Sequence, residues 1–510
     1  MKRLMVIVGM LGCIILWNAC RKSDSPAEKP DPVTPPPSTG EDNLSTFRVD
    51  NQFTNPVMPG GPDPWVVQKN GTYYYTFTQG SKLVIIETKN VSELASGHRY
   101  DVWTPPAGQS YSKNVWAPEL HEIDGKWYIY FAADDGTNAN HRMYVIENAS
   151  SSPVQGNWVI KGKISDPSDQ WAIDGTVFRY NDQLYMLWSG GNAGSPPQNI
   201  YIARMSNPWT ISGEKVMIAT PVYDWEKKGN PINEGPEVLV NPQGHVFIVY
   251  SGSGYWVDGY CLGLLTLKQN GNPMNPADWT KKDQPVFSMR AESSTYGPGH
   301  NGFFKSPDGK EDWIIYHARS VANNGSAGRT PRIQRFVWNT DGTPNFGTPT
   351  NIAIPQNRPS GETLRYIHPK TKWSVAGFSS EETVNSRLAA CLIDNNTATF
   401  WIARYSSNPT DYPNHWVTID MGAVSKVDGF IVNQKEGDRK IKELQLLISN
   451  DNTTWENLGV FTLTDFGLRS LYIDLPQRRQ FRYFRLVPKS GQDSQKQPAL
   501  AEVSTFRLKD

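Results

Sequence analysis

The chain has 510 residues, more than one ordinary domain holds, so two folded domains are expected. Its 50 Lys and Arg balance its 50 Asp and Glu, leaving a formal net charge of zero and no basic excess to neutralise phosphates, which argues against nucleic acid as a partner. Aromatic residues are frequent, with 18 Trp, 22 Tyr and 19 Phe, a composition that suits β-rich cores and surfaces on which sugar rings stack.

The N-terminus reads MKRLMVIVGMLGCIILWNACRKSDS: two basic residues, an apolar run from Leu4 to Trp17, then Asn18, Ala19 and Cys20 before charge returns. The run is short for a membrane span, and a small residue precedes Cys20, so residues 1–20 resemble a bacterial lipoprotein signal. That resemblance implies lipidation at Cys20, export to the cell envelope at the outer membrane or facing the periplasm, and membrane contact through the lipid anchor only. Residues 21–43 are Pro-rich and polar with almost nothing to bury, a semi-extended tether. Cys13 is expected to leave with the signal, and Cys261 and Cys391 fall in separate expected domains, so no disulfide framework follows.

From residue 44 the chain turns strand-like. Five segments share a turn followed by an aromatic, alternating strand: NGTYYYTF (70–77), DGKWYIYF (124–131), NDQLYMLW (181–188), QGHVFIVY (243–250) and GKEDWIIY (309–316). These read as second strands of hairpins. A shorter apolar strand precedes each, starting at 63, 117, 174, 234 and 300, so the spacings are 54, 57, 60 and 66 residues. Periods of this size with several strands each predict propeller blades, and residues 44–355 are expected to form a five-bladed β-propeller. Long helical patterns are missing from this span, which disfavours an α/β barrel.

If the leading strand of each repeat is innermost, its first residues line the mouth of the central channel, and Asp63, Asp174, Glu234 and His300 converge. Carboxylates gathered without cationic partners raise one another's pKa, and glycoside hydrolysis uses such a set: one acid protonates the leaving oxygen while another stays ionised to activate water. Taken singly, Asp63 before Pro64 and Asp174 before Gly175 also read as turn residues, and Glu237 competes with Glu234. Alternation favours Glu234, which falls in register with Asp63 and Asp174, whereas Glu237 is expected to point across the sheet.

GPDPWVV, VWAPELHEIDGKWYIYFAADD, AIDGTVF, NEGPEVL and GPGHNGFF, in this order, resemble the blade motifs of glycoside hydrolase family 43, over about residues 50–355. The resemblance implies a hydrolase of arabinose- and xylose-containing glycans that works with inversion. It makes Asp63 the general base, Glu234 the general acid, and Asp174 the residue that tunes and orients that acid by like-charge repulsion and hydrogen bonding. It also implies sugar contacts from Trp116, from His300, and from an arginine of GRTPRIQRFVWNTDGTPNFGTP (328–349), for which Arg332 is the candidate and Arg329 and Arg335 the alternatives. His300 matches a family position that holds a hydrated axial ion; a structural histidine is the competing reading. Phe131 and Trp188 are assigned to packing.

Residues 356–372 read as a linker. Beyond them HWVTIDMG (415–422), VDGFIVNQ (427–434), IKELQLLISNDNTTWENLG (441–459), SLYIDL (470–475) and FRYFRLV (481–487) alternate as short antiparallel strands, predicting a β-sandwich over 373–510. The order CLIDNNTATFW, HWVTIDMG, LLISNDNTTW, FRYFRLV, AEVSTF resembles discoidin-like domains of the coagulation factor 5/8 type C kind, which overlap with carbohydrate-binding modules. That resemblance implies a structural calcium at Asp394, Thr399 and Glu502, against which turn capping by Asp394 and an exposed Glu502 remain open; Trp401 and Tyr405 are the exposed-aromatic candidates, with a core position the equal alternative for Trp401.

The fold class is therefore all-β, a five-bladed propeller followed by a jelly-roll, discoidin-like sandwich. The expected function is an exo-acting inverting hydrolase removing terminal α-L-arabinofuranosyl residues from plant polysaccharide, with no cofactor needed for chemistry. A β-xylosidase or galactosidase of the same family, a non-catalytic carbohydrate-binding surface protein, and an adhesive role led by the second domain are the alternatives.

Overall fold

The computed structural model describes residues 44–509. The expected signal and tether, with Cys13 and the lipidation site Cys20, lie outside the described residues.

Five four-stranded antiparallel sheets follow one another along the chain, each with its strands in chain order. Their leading strands are Trp65–Lys69, Lys113–Ile123, Trp171–Tyr180, Asn233–Val240 and Tyr296–Lys305. Each leading strand packs against those of the sheets before and after it, and the fifth packs against the first, so the sheets close into a ring of five blades.

Alternation along the second strands places side chains in the gaps between blades. In Thr72–Thr76, Tyr73 and Tyr75 pack toward blade five with Phe304, Trp313 and Ile315, while Tyr74 packs toward blade two with Trp127 and Ile129. Both faces of every blade are buried this way, and so the second strands read as continuous apolar runs. Ring closure is completed by Asn55, whose amide donates to the Ile333 carbonyl at 2.8 Å and accepts from the Ile333 N–H at 3.0 Å. The neighbouring Val57 N–H donates to Pro331 O at 3.0 Å.

One irregularity repeats in all five blades. At the entry of each leading strand an extra residue breaks the ladder and adopts a left-handed backbone: Asp63 (φ 58°), Ala117 (φ 42°), Asp174 (φ 56°), Gly235 (φ 51°) and His300 (φ 47°). The residue opposite on the second strand is aromatic every time: Phe77, Phe131, Trp188, Tyr250 and Tyr316. Such bulges kink a strand and re-aim its side chains.

The second domain is built on an eight-stranded sheet. The breaks expected at 422–427 and 475–481 are bends inside long strands, Val417–Asn433 and Ser470–Gly491, with register shifts at Asp420/Ser425 and Val427/Gly429. The segment expected as one strand from 441 is a hairpin, Ile441–Ser449 with Glu456–Thr462. The expected domain limits shift too: Arg48–Asp50 pairs with Arg365–Ile367, which pairs with Glu502–Leu508, so the start of the expected propeller segment and the expected linker each feed a strand to the sandwich. Only hydrogen-bond partners decide such membership, and short polar strands carry no periodic signal.

Between the domains, Arg358 is fully enclosed, bonding Glu93 at 2.5 Å, Asp50 at 3.0 Å and the Tyr472 hydroxyl at 2.8 Å. Arg365 joins the same Glu93 and clasps Asp474 at 2.9 and 3.0 Å. An apolar cluster runs without a break from Val57, Leu94 and Ile333 of the propeller to Leu392, Phe430 and Leu471 of the sandwich.

Asn55→Ala removes the partner of two buried backbone groups, and a loss of about 2 kcal/mol in unfolding free energy is expected. Denaturant titration of the variant against the parent protein measures it.

Candidate active site

The bulges deliver the site. A cavity of about 320 Å³ opens at the channel mouth, with Asp63, Asp174, Glu234, His300 and Arg329 at its floor and Trp116, Trp171 and Trp256 among its walls. Sequence reasoning placed the first four of these together, and the fold does bring them to one pocket.

The bulged residues have N–H groups with no partner in their own ladder, and four of the five donate to the preceding blade around the ring. Asp63 N–H reaches His317 Nδ1 at 3.1 Å, Ala117 N–H reaches Thr78 Oγ1 at 2.7 Å, Gly235 N–H reaches Asp174 Oδ2 at 3.0 Å, and His300 N–H reaches Ser251 Oγ at 2.8 Å. Thr78 passes the link on, donating to Asp63 Oδ2 at 2.7 Å.

Asp63 and its two fellow acids experience opposite fields. Burial alone would raise Asp63, but the Arg329 guanidinium 2.9 Å from Oδ1, His300 and His317 beside it, and the Thr78 hydroxyl outweigh burial and hold it well below the usual carboxylate range. Arg329 is itself seated over the Tyr255 ring, 4.4 Å from its centroid. Burial is the leading cause for Glu234, aided by the charge of Asp63 and opposed by the Tyr260 hydroxyl 2.8 Å away and by Arg329, and it is pushed up to about 7. Asp174 is also pushed up to about 7, by burial first, with His300 and the Gly235 N–H opposing and Glu234 and Asp63 adding to it. One ionised carboxylate thus faces two that hold protons near neutrality. The hydrogen bond of Asp174 runs to the backbone beside Glu234, so its orienting effect on that acid is exerted through the main chain.

Several expectations change. Glu234 is not in register with Asp174: it pairs with Ser251 as Ile173 pairs with Ser189, so it stands one residue ahead of the bulge, and Gly235 is the counterpart of Asp174. The extra residue defeats a strict count of two. Glu237 is buried against Glu119 and is not among the cavity residues; burial and Glu119 hold its carboxyl well above its ordinary value. Arg332 does not reach the cavity. It is fully buried within the fifth blade, where it donates to Ser294 O at 3.1 Å, Thr295 Oγ1 at 2.6 Å and Ser320 Oγ at 3.0 Å. Arg329, in the loop just before that strand, takes the place expected for it, while Arg335 pairs with Glu311 at 3.4 Å on the periphery. Trp116 lines the cavity and stacks on His141 at 4.0 Å, fixed in turn by Asp134 at 2.8 Å.

Trp171, Trp256, Asn138 and Gln198 also line the cavity and were missed by sequence reasoning. Trp171 alone had a signal, standing three residues before Asp174 in the same strand. In the second domain Asp394, Thr399 and Glu502 come together: Thr399 Oγ1 donates to Asp394 Oδ2 at 2.6 Å, and the Asn396 N–H lies 2.9 Å from Asp394 Oδ1 and 3.2 Å from Glu502 Oε2. Trp401 is core, donating to Ser380 O at 2.9 Å, whereas Tyr405 is exposed beside Arg439.

Residues 53–344 match the model of glycosyl hydrolases family 43. The chain belongs to that family. Residues 375–503 match the F5/8 type C domain, in agreement with the sandwich. Among curated family relatives, an extracellular exo-α-(1→5)-L-arabinofuranosidase of Streptomyces avermitilis is 38% identical over 312 residues, 59% of this chain and 64% of that protein. An α-L-arabinofuranosidase 43 of Humicola insolens is 37% identical over 307 residues, 58% of this chain and 63% of its own. This chain therefore spans just under two thirds of the length of these two relatives. The crystal structure of an α-L-arabinofuranosidase from Lactobacillus brevis is 37% identical with a TM-score of 0.56, covering 59% of this chain and 98% of that one.

Replacing Arg329 with Met removes the largest charge lowering Asp63. The acid limb of the kcat/KM profile is expected to move to higher pH by about one unit, since a nearby guanidinium lowers a carboxylate by about 1–3 units; pH–rate measurements on both proteins test this.

Proposed function

We propose that the chain is an exo-acting, inverting glycoside hydrolase that removes terminal α-L-arabinofuranosyl units from plant polysaccharide. The observation that carries this reading is the split in protonation across one small pocket: Asp63 held ionised by Arg329, Glu234 held protonated by burial. The arabinofuranosidase names of the relatives support the choice of sugar, and a cavity of about 320 Å³ suits a single terminal unit better than a running polymer.

In this scheme a water held by Asp63 attacks the anomeric carbon while Asp63 takes its proton. Glu234 gives its proton to the departing glycosidic oxygen, and the bond to the sugar breaks as the bond to water forms. Asp174 keeps the Glu234 segment in place through the Gly235 N–H. The inverting geometry calls for carboxylates about 6.5–9.5 Å apart, with the water between base and sugar. Trp116 supplies a flat apolar wall for the ring, and Arg329 and His300 present polar atoms beside the base. We also assign the activity to the cell envelope, with Cys20 as the lipid attachment point, on the strength of the N-terminal pattern.

Asp63→Ala and Glu234→Ala are each expected to lower kcat/KM about 10²–10⁴-fold, and Glu234→Ala less so on an aryl arabinofuranoside, whose leaving group needs little protonation. Turnover that survives both substitutions would refute the assignment. Aryl β-xyloside and β-galactoside assayed in parallel test the sugar, and proton NMR of the first-formed anomer tests inversion. Binding of glycans without any turnover would favour a carbohydrate-binding role instead.

A further inference from the structure

Discoidin-like domains imply a calcium ion at the place where Asp394, Thr399 and Glu502 meet, and the residues present do not fit one. Calcium takes about six to eight oxygen ligands with free lone pairs. Each of the four carboxylate oxygens already meets a donor from the chain, which commits about half of their acceptor sites before any metal arrives. Asp394 Oδ2 accepts from the Thr399 hydroxyl and Oδ1 from the Asn396 N–H, while Glu502 Oε2 accepts from that same N–H. Glu502 Oε1 is ion-paired with the ammonium of Lys370, and the two side chains are only 6% and 2% exposed.

Lys370 sets its ammonium against the same Glu502 carboxylate that a divalent ion would have to use as a ligand. The charge of Arg48 bears on the same ammonium. An ammonium offers no lone pair to a metal, and two like charges a few ångströms apart repel strongly in a buried setting.

We infer that Lys370 supplies from within the chain the positive charge that calcium supplies to this fold, so that the second domain is closed without a metal. The lysine follows Arg365–Ile367, the sandwich strand that pairs with Glu502–Leu508. Through Glu502 it ties that segment to the final strand, Glu502–Leu508, and through Asn396 to the 394–399 loop. The internal cation therefore holds three separate stretches of the sandwich together.

The test uses the intact purified protein, Lys370→Ala and Lys370→Met. For the parent protein, elemental analysis after dialysis is expected to find no stoichiometric calcium, and neither EDTA nor millimolar CaCl₂ is expected to move the melting temperature. Both variants should melt lower. Lys370→Ala, which vacates the site, should regain at least about 2 °C with millimolar calcium and lose the gain with EDTA. Stoichiometric calcium in the parent protein, or a fall in its melting temperature with EDTA, would overturn the inference. So would folded variants that melt lower and ignore calcium, since Lys370 would then be an ordinary ion-pair partner. If neither variant folds, the measurements on the parent protein decide alone.

Discussion

The channel mouth depends on one backbone N–H per blade that has nowhere to go within its own sheet. An added residue at the start of each leading strand swings into the left-handed region, unfavourable for all but glycine, and its amide leaves the ladder. A buried amide without a partner is costly, so each bulge is tolerable only where a neighbour accepts. Around most of the ring the neighbour is a side chain of the preceding blade: His317, Thr78, Asp174, Ser251. The same bond that satisfies the kink thus joins one blade to the next. It leaves the kinked side chain facing the axis, which puts Asp63, Asp174 and His300 where chemistry can use them.

That constraint explains why three carboxyl groups in one enclosure differ in charge. Each is deprived of water to a similar degree, so burial pushes all of them the same way, and the sign of the result rests on what else the ring brings near. The fifth blade and its loops give Asp63 a guanidinium and two imidazoles. Glu234 receives a phenol from its own blade, with Arg329 acting on it more weakly than burial. The first and fourth blades both border the fifth, and the roles divide by which of its side chains reach each acid: Arg329, His300 and His317 act on Asp63, whereas Arg329 acts on Glu234 without outweighing burial.

Much of this was legible in the amino-acid order. The aromatic second strands repeat strongly enough to count blades, and the residues at 63, 174 and 300 are the bulges themselves. Glu234 was found for a reason that does not hold, because an added residue is invisible to alternation and shifts the count by one. The resemblance pointed to an arginine of 328–349 without separating Arg332 from Arg329; the direction of a residue one step outside a strand is set by the loop it ends. Trp256 and Asn138 reach the pocket from loops with no period to betray them. In the sandwich, polar turn-like residues inside Val417–Asn433 and Ser470–Gly491 mark bends, and a bend and a break look alike until the partner strand is known.

The enclosed Arg358 and Arg365, shared among Glu93, Asp50 and Asp474, have a mechanical meaning. Their charges are neutralised by acids from both sides of the junction, and the apolar core beside them is continuous, so neither half presents a finished outer surface at that seam. The sandwich therefore shares interior with the ring and is not strung on a linker like a bead on a string. Parting the two would bare buried charge and apolar surface in the same stroke, so the seam behaves as core and not as a boundary.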